Sequence, residues 1–213
     1  MRGIYMSQEL SIIKDYLEDL NSKKPVPGGG GVSAFTGALA AGLAAMVCSL
    51  TVGKKKYADV ESVIIATADK ITGIQNDLVE CMNADAEAFE PLSRAYGLPK
   101  NTPEEIEEKE RVMEACLRDA ANPPLRICEL IAGLLPSVKY VADNGSRLAV
   151  SDAGCSAALA IAAIKAAALN VYINTRLMKD REYAQGINNR VDMYLRVVPE
   201  YDMIYNSVME VLK

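Results

Sequence analysis

The chain has 213 residues, with 23 Lys plus Arg against 28 Asp plus Glu, a formal net charge of −5, and no histidine or tryptophan. Without histidine there is no Ser-His-Asp or Cys-His nucleophile pair, no imidazole base and no His-bearing zinc pattern, so proton transfer falls to Asp, Glu, Lys, Tyr or Cys. The acidic balance argues against a nucleic-acid partner, and five cysteines without a Cys-x-x-Cys pair fit a reducing cytoplasm better than a disulfide framework.

This length suits one domain, residues 1–213. Met1 to Leu10 offers no apolar signal core, so secretion is not expected. No proline occurs between Pro27 and Pro91 or between Pro136 and Pro199, both spans are rich in helix formers, and period-2 alternation is scarce. These features predict an all-α fold, a single-domain multi-helix bundle with two central Ala-rich helices.

Leu10, Ile13, Leu17 and Leu20 form one apolar stripe of a helix over residues 7–20. A loop then enters the run Gly28, Gly29, Gly30, Gly31, and a second helix is expected over 32–51, closed by Gly53 and Lys54, Lys55 and Lys56. No charge occurs in 32–52, a length that could span a membrane. The Ala and Gly content supplies little apolar area, which favours a buried central helix and no membrane contact. A third helix is expected over 58–96, loosened at Gly73. Thr102, Pro103 and Glu105 read as N-cap, first-turn proline and capping box of the next helix. Further helices are expected over 104–121, 124–141, 154–178 and 181–212, the last broken near Pro199. Gly31-Val-Ser33-Ala34 is echoed by Gly154-Cys-Ser156-Ala157. The echo reads either as two ordinary core-helix starts or as two N-termini facing one ligand.

Asp85 is the residue that breaks pattern. It falls on the stripe Ile71, Ile74, Leu78, Met82, Phe89, Leu92, whereas Glu87 and Glu90 fall off it. A carboxylate on a core-facing stripe is paired, hydrogen-bonded, or tuned by burial into a general acid/base. The glycine run presents free backbone N–H groups at a helix start, suited to anions or carbonyl oxygens. It lacks the Gly-Lys-Ser/Thr of a phosphate loop. Lys54, Lys55 and Lys56 are either a solvated helix end or a carboxylate receiver. Asn170 and Asn174 project from one helix face toward a ligand or a neighbouring helix. Asp152 reads as the cap of the helix after it.

Taken in order, Pro25-x-Pro-Gly-Gly-Gly30, Leu50-Thr-x-Gly-Lys-Lys-Lys-Tyr57, Asp85-Ala-Glu-Ala-Phe89, Leu98-Pro-Lys-Asn-Thr-Pro-Glu-Glu105, Ser151-Asp-Ala-Gly154 and Asn170-Val-x-Ile-Asn174 resemble the cyclodeaminase/cyclohydrolase family of tetrahydrofolate enzymes. The resemblance runs from about Ser7 to the last helix. One departure is Gly31, where relatives commonly carry Ser. The resemblance implies an all-α homodimer holding a folate between helices, with Asp85 catalytic. It also implies no metal and no cofactor beyond the tetrahydrofolate substrate. On that basis the expected reaction is cyclisation of 5-formiminotetrahydrofolate to 5,10-methenyltetrahydrofolate with loss of ammonia. The alternative is the methenyltetrahydrofolate cyclohydrolase reaction giving 10-formyltetrahydrofolate. In both, Gly28, Gly29, Gly30, Gly31, Asn170 and Asn174 would orient the pterin side, and Lys54, Lys55 and Lys56 a glutamate or polyglutamate tail. Asp152 joins the substrate-binding candidates through its motif. A reading of another class is a non-catalytic helical scaffold or binding protein.

Overall fold

Alanine and glycine decide how closely the two middle helices pack. The computed structural model describes residues 2–213, with side chains described from Leu10 onward. Its described residues form seven α-helices: α1 (Arg2–Leu20), α2 (Gly29–Ser49), α3 (Glu61–Tyr96), α4 (Pro103–Asn144), α5 (Val150–Leu177), α6 (Arg181–Leu195) and α7 (Val198–Leu212). Ala34, Ala40, Ala41 and Ala44 of α2 and Ala153, Ala157, Ala160, Ala163 and Ala167 of α5 are fully buried. Side chains this small let backbones approach, so larger groups from the outer helices complete the core. A Cβ at Gly37 would lie 2.7 Å from Ile131 Cδ1 of α4 and 3.2 Å from Leu78 Cδ2 of α3.

The two central helices run antiparallel. Gly29 at the start of α2 meets Asn170 near the end of α5, while Ser156 near the start of α5 donates to Ala40 O at 2.7 Å. Both α2 and the segment Arg147–Leu177 are long and apolar enough to cross a membrane. Their alanine faces instead form the packing centre of the bundle, as the small-residue composition led one to expect.

Several boundaries differ from the sequence reading. Helix α2 begins inside the glycine run rather than at Val32, because its extended N-cap Gly28 already accepts from Val32 N at 3.0 Å. Helix α3 is unbroken at Gly73. A Cβ at Gly73 would meet nothing within 4 Å, so Gly73→Ala should stabilise the fold by about 0.5–1 kcal/mol. A urea midpoint that fails to rise would contradict this. Helix α5 begins at Val150, which puts Asp152 in its first turn rather than at a cap. The break near Pro199 is present, between α6 and α7. The α1 stripe is the main surprise: Leu10, Ile13 and Leu17 are exposed, so it covers no core of its own chain.

The expected pair of helices over 104–121 and 124–141 is one continuous helix, α4. Its capping box forms as expected, with Glu105 N donating to Thr102 Oγ1 at 3.2 Å and Thr102 N to Glu105 Oε2 at 3.3 Å. Pro123 and Pro124 lie within it, and each proline removes the N–H that would bond the carbonyl four residues earlier. For Pro124 that carbonyl is Ala120 O, and Asn174 Nδ2 of α5 donates to it instead at 3.0 Å. A tertiary hydrogen bond thus replaces the intrahelical one, and the chain continues as helix. Asn174→Ala should cost about 1–3 kcal/mol by orphaning this carbonyl. In a Pro124→Ala background, where the N–H returns, the cost should shrink. Equal costs in a double-mutant cycle would show that the two groups are not coupled.

Candidate functional site

Four segments converge at one end of the bundle. The strap from Pro25 to Gly30, Asp85 and Phe89 of α3, Ala120 of α4, and Asn170, Ile173 and Asn174 of α5 enclose a cavity of about 250 Å³. The Val26–Pro27 peptide bond in the strap is cis. A second cavity, of about 340 Å³, lies on the other side of the strap and also reaches Asp85. It is lined by Tyr16 and Asp19 of α1, Val26 to Gly28, Gly31, Met82 and Asn83. A roomier groove of about 670 Å³ runs between α3 and α4, but none of the candidate residues lines it.

Asp85 sits between the two cavities. The stripe that carries it is as the periodicity required: Ile71, Leu78 and Leu92 are fully buried, and Glu87 and Glu90 are exposed. Gly31 N of α2 donates to Asp85 Oδ2 at 2.9 Å. Among the described residues Asp85 Oδ1 has no protein donor. The carboxylate lies directly against Gly30, where a Cβ would be 2.0 Å from Oδ1 and 2.4 Å from Cγ. Only glycine leaves room for this approach. Burial raises the carboxyl pKa above the ordinary Asp value, and the Gly31 N–H works against that rise. The positive end of α2 acts in the same direction as the Gly31 bond. Such a carboxylate can accept a proton and return it, with one oxygen held and the other free.

Both asparagines reach the cavity. The Asn170 amide packs against Gly29, whose Cβ would lie 2.9 Å from Nδ2. Its Nδ2 donates to Ala166 O at 2.8 Å, and Asn174 Nδ2 donates to Asn170 O at 2.9 Å as well as to Ala120 O. Both Asn174 N–H groups and one of Asn170's are therefore engaged within the fold, and the second Asn170 N–H and the amide oxygens remain for a ligand. The structure thus brings together Asp85, Gly28, Gly29, Gly30, Gly31, Asn170 and Asn174.

Lys54, Lys55, Lys56 and Asp152 do not join them. The lysines follow the far end of α2, which at 21 residues is about 30 Å long. There Lys54 Nζ donates to Ser146 Oγ at 3.0 Å, and Tyr57 Oη accepts from Arg147 N at 3.0 Å. Asp152, in the first turn of antiparallel α5, belongs to this same far end. The two Gly-x-Ser-Ala helix starts therefore do not face one ligand, and Gly154 packs on Val208 of α7 instead. Tyr16 and Asp19 were missed from sequence. Tyr16 flanks the α1 stripe and carries no local signal that separates it from an ordinary packing aromatic. Among the described residues, no three Cys, Asp or Glu side chains cluster so as to hold a metal ion.

Comparison with known proteins gives concordant results. The formiminotransferase-cyclodeaminase family model matches residues 12–193. A methenyltetrahydrofolate cyclohydrolase of Methylorubrum extorquens is 39% identical over 173 residues, covering 81% of this chain and 83% of that one. A mouse (Mus musculus) formimidoyltransferase-cyclodeaminase is 29% identical over 184 residues. That match takes in 86% of this chain but 34% of the mouse protein, so the chain spans about a third of that relative's length. The crystal structure of a formiminotetrahydrofolate cyclodeaminase from Thermotoga maritima superposes with a TM-score of 0.81 at 25% identity, over 93% of this chain and 96% of the other.

Proposed function

The chain belongs to the formiminotransferase-cyclodeaminase family, and from that premise we propose that it is a tetrahydrofolate one-carbon enzyme acting at the N5/N10 bridge, with Asp85 as its proton-transfer group. The observation that carries this reading is the carboxylate itself: half-buried, seated on the N-terminus of α2 through Gly31, and lining two cavities.

Of the two bridge reactions, hydrolysis of 5,10-methenyltetrahydrofolate is the first choice. The relative named for it is 39% identical and matched over 83% of its length. Water adds to the bridge carbon while Asp85 takes a proton from it. The tetrahedral carbon then collapses to a formyl group on N10 as the C–N5 bond breaks. Asp85 passes the proton it holds to N5 and takes up the hydroxyl proton, which it releases to solvent, giving 10-formyltetrahydrofolate. The cyclodeaminase reaction is the second reading, favoured by the structural match. There N10 attacks the carbon of the protonated formimino group, and Asp85 moves the N10 proton to the departing nitrogen as ammonia leaves. Both routes share a tetrahedral carbon, and neither needs a metal or a redox cofactor. Positioning and proton transfer suffice.

In either reaction the Asn170 and Asn174 amide oxygens and the glycine backbone would orient the pterin. Lys54, Lys55 and Lys56 would meet only the far end of an extended polyglutamate tail. A homodimer belongs to the same proposal. It is supported by the exposed apolar residues Leu10, Ile13 and Leu17 of α1 and Leu169, Ile173 and Leu177 of α5. The free cysteines suit a reducing cytoplasm. The test follows methenyltetrahydrofolate absorbance with purified protein. Decay faster than the non-enzymatic rate is expected, and growth from 5-formiminotetrahydrofolate would instead select the second reading. No change with either substrate would refute the folate assignment.

A further inference from the structure

The cavity of about 340 Å³ beside Asp85 has one wall that the reaction as derived does not use. That wall is Tyr16. Its phenolic oxygen is buried and makes no hydrogen bond among the described residues. Its ring packs on Phe35 of α2, with centroids 6.0 Å apart at 57°. The neighbouring α1 residues Ile13 and Leu17 point outward and are exposed. A buried hydroxyl with no partner lowers stability, and native structures keep such groups rarely. Here it belongs to a side chain that lines a cavity whose other polar side chains are Asp19, Asn83 and Asp85. Burial and, to a lesser extent, the Asp85 charge push the Tyr16 phenol above its ordinary pKa. It therefore stays protonated at neutral pH and is available there as a donor.

We infer that Tyr16 is a substrate-binding residue, whose O–H donates a hydrogen bond to an acceptor oxygen of a folate lying across Asp85, an inference that rests on the folate reading above. The substrate would then occupy both cavities. Its bridge would sit at Asp85, one end against Asn170 and Asn174, and the other under Tyr16. This makes α1 part of the site rather than an appendage to it.

Tyr16→Phe removes one oxygen and keeps the ring on Phe35. Its kcat/KM should fall about 10- to 100-fold, mostly through KM, because the hydrogen bond is made to bound substrate. Its thermal midpoint should stay level or rise, because the deleted hydroxyl has no partner among the described residues. An unchanged KM would overturn the inference. So would a lowered midpoint with normal kinetics, which is the signature of a purely structural hydroxyl. In the wild-type protein, amide exchange across 13–17 should slow when substrate binds, and unaltered exchange there would also count against it. Asp85→Asn separates the layers: full turnover in that variant removes the folate mechanism itself, whatever Tyr16 does.

Discussion

Asp85→Asn should lower turnover by about 10²- to 10⁴-fold while the protein still folds, since proton transfer by a positioned group contributes on that order. The substitution keeps the shape, and its amide oxygen can still accept from Gly31 N, now 2.9 Å from Oδ2. What it removes is basicity. The pH behaviour follows from the burial-raised pKa of Asp85. Wild-type kcat/KM should rise through a pKa above the ordinary carboxylate value, as Asp85 ionises, and the variant should lack that limb. Stability should move the other way. A raised pKa means the folded chain binds the proton more tightly than the unfolded chain. This contribution is therefore complete in acid and is lost as the pH climbs through the raised pKa. The Asp85→Asn variant does not titrate there, so its urea midpoint relative to wild type should increase from acid to neutral pH. Full turnover in the variant, or a relative midpoint that falls over this interval, would refute the assignment.

Gly30→Ala should be nearly as damaging without touching an ionisable group. Its Cβ would lie 2.0 Å from Asp85 Oδ1 and 2.4 Å from Cγ, so the carboxyl group itself must leave. An ångström of displacement at a proton-transfer group can cost 10²-fold, and we expect a loss of about that size. Forcing a methyl group into this contact should also lower stability by about 1–3 kcal/mol. Gly31 makes the contrast. A Cβ there would meet nothing nearer than 4.0 Å, at Asp85 Oδ2 and Met82 O, so Gly31→Ser should keep most activity and a normal fold. The fourth glycine is thus a position where a serine fits. Equal damage at both positions would show that strap flexibility, not the seat for Asp85, is what matters.

Asp85 could be singled out on paper because burial on a helix follows from spacing. Residues at three- and four-residue steps share a face, and one carboxylate among Leu78, Met82 and Phe89 stands out. The glycine run was legible for a similar reason, since four glycines entering a helix mark close approach. What they approach was not legible. Gly30 meets Asp85 from 55 residues away in sequence, and Gly29 meets Asn170 from 141 away. The lysine cluster and Asp152 lie away from Asp85 on the same ground: family motifs order residues along the chain, while antiparallel α2 and α5 sort them to opposite ends.

The sequence by itself determined the all-helical class, the capping box at Thr102, the Ala-rich pair and the stripe carrying Asp85, because each rests on composition or on spacing within a few residues. Tertiary structure alone decided the rest. Pro124 stays inside a helix because Asn174 replaces the lost donor at Ala120 O. The α1 stripe faces outward while Tyr16 turns toward Asp85. Without histidine the chain had to place proton transfer elsewhere. Local pattern could nominate the carboxylate, but only the packing of α2 against α3 could give it a backbone donor, a glycine seat and two cavities to work in.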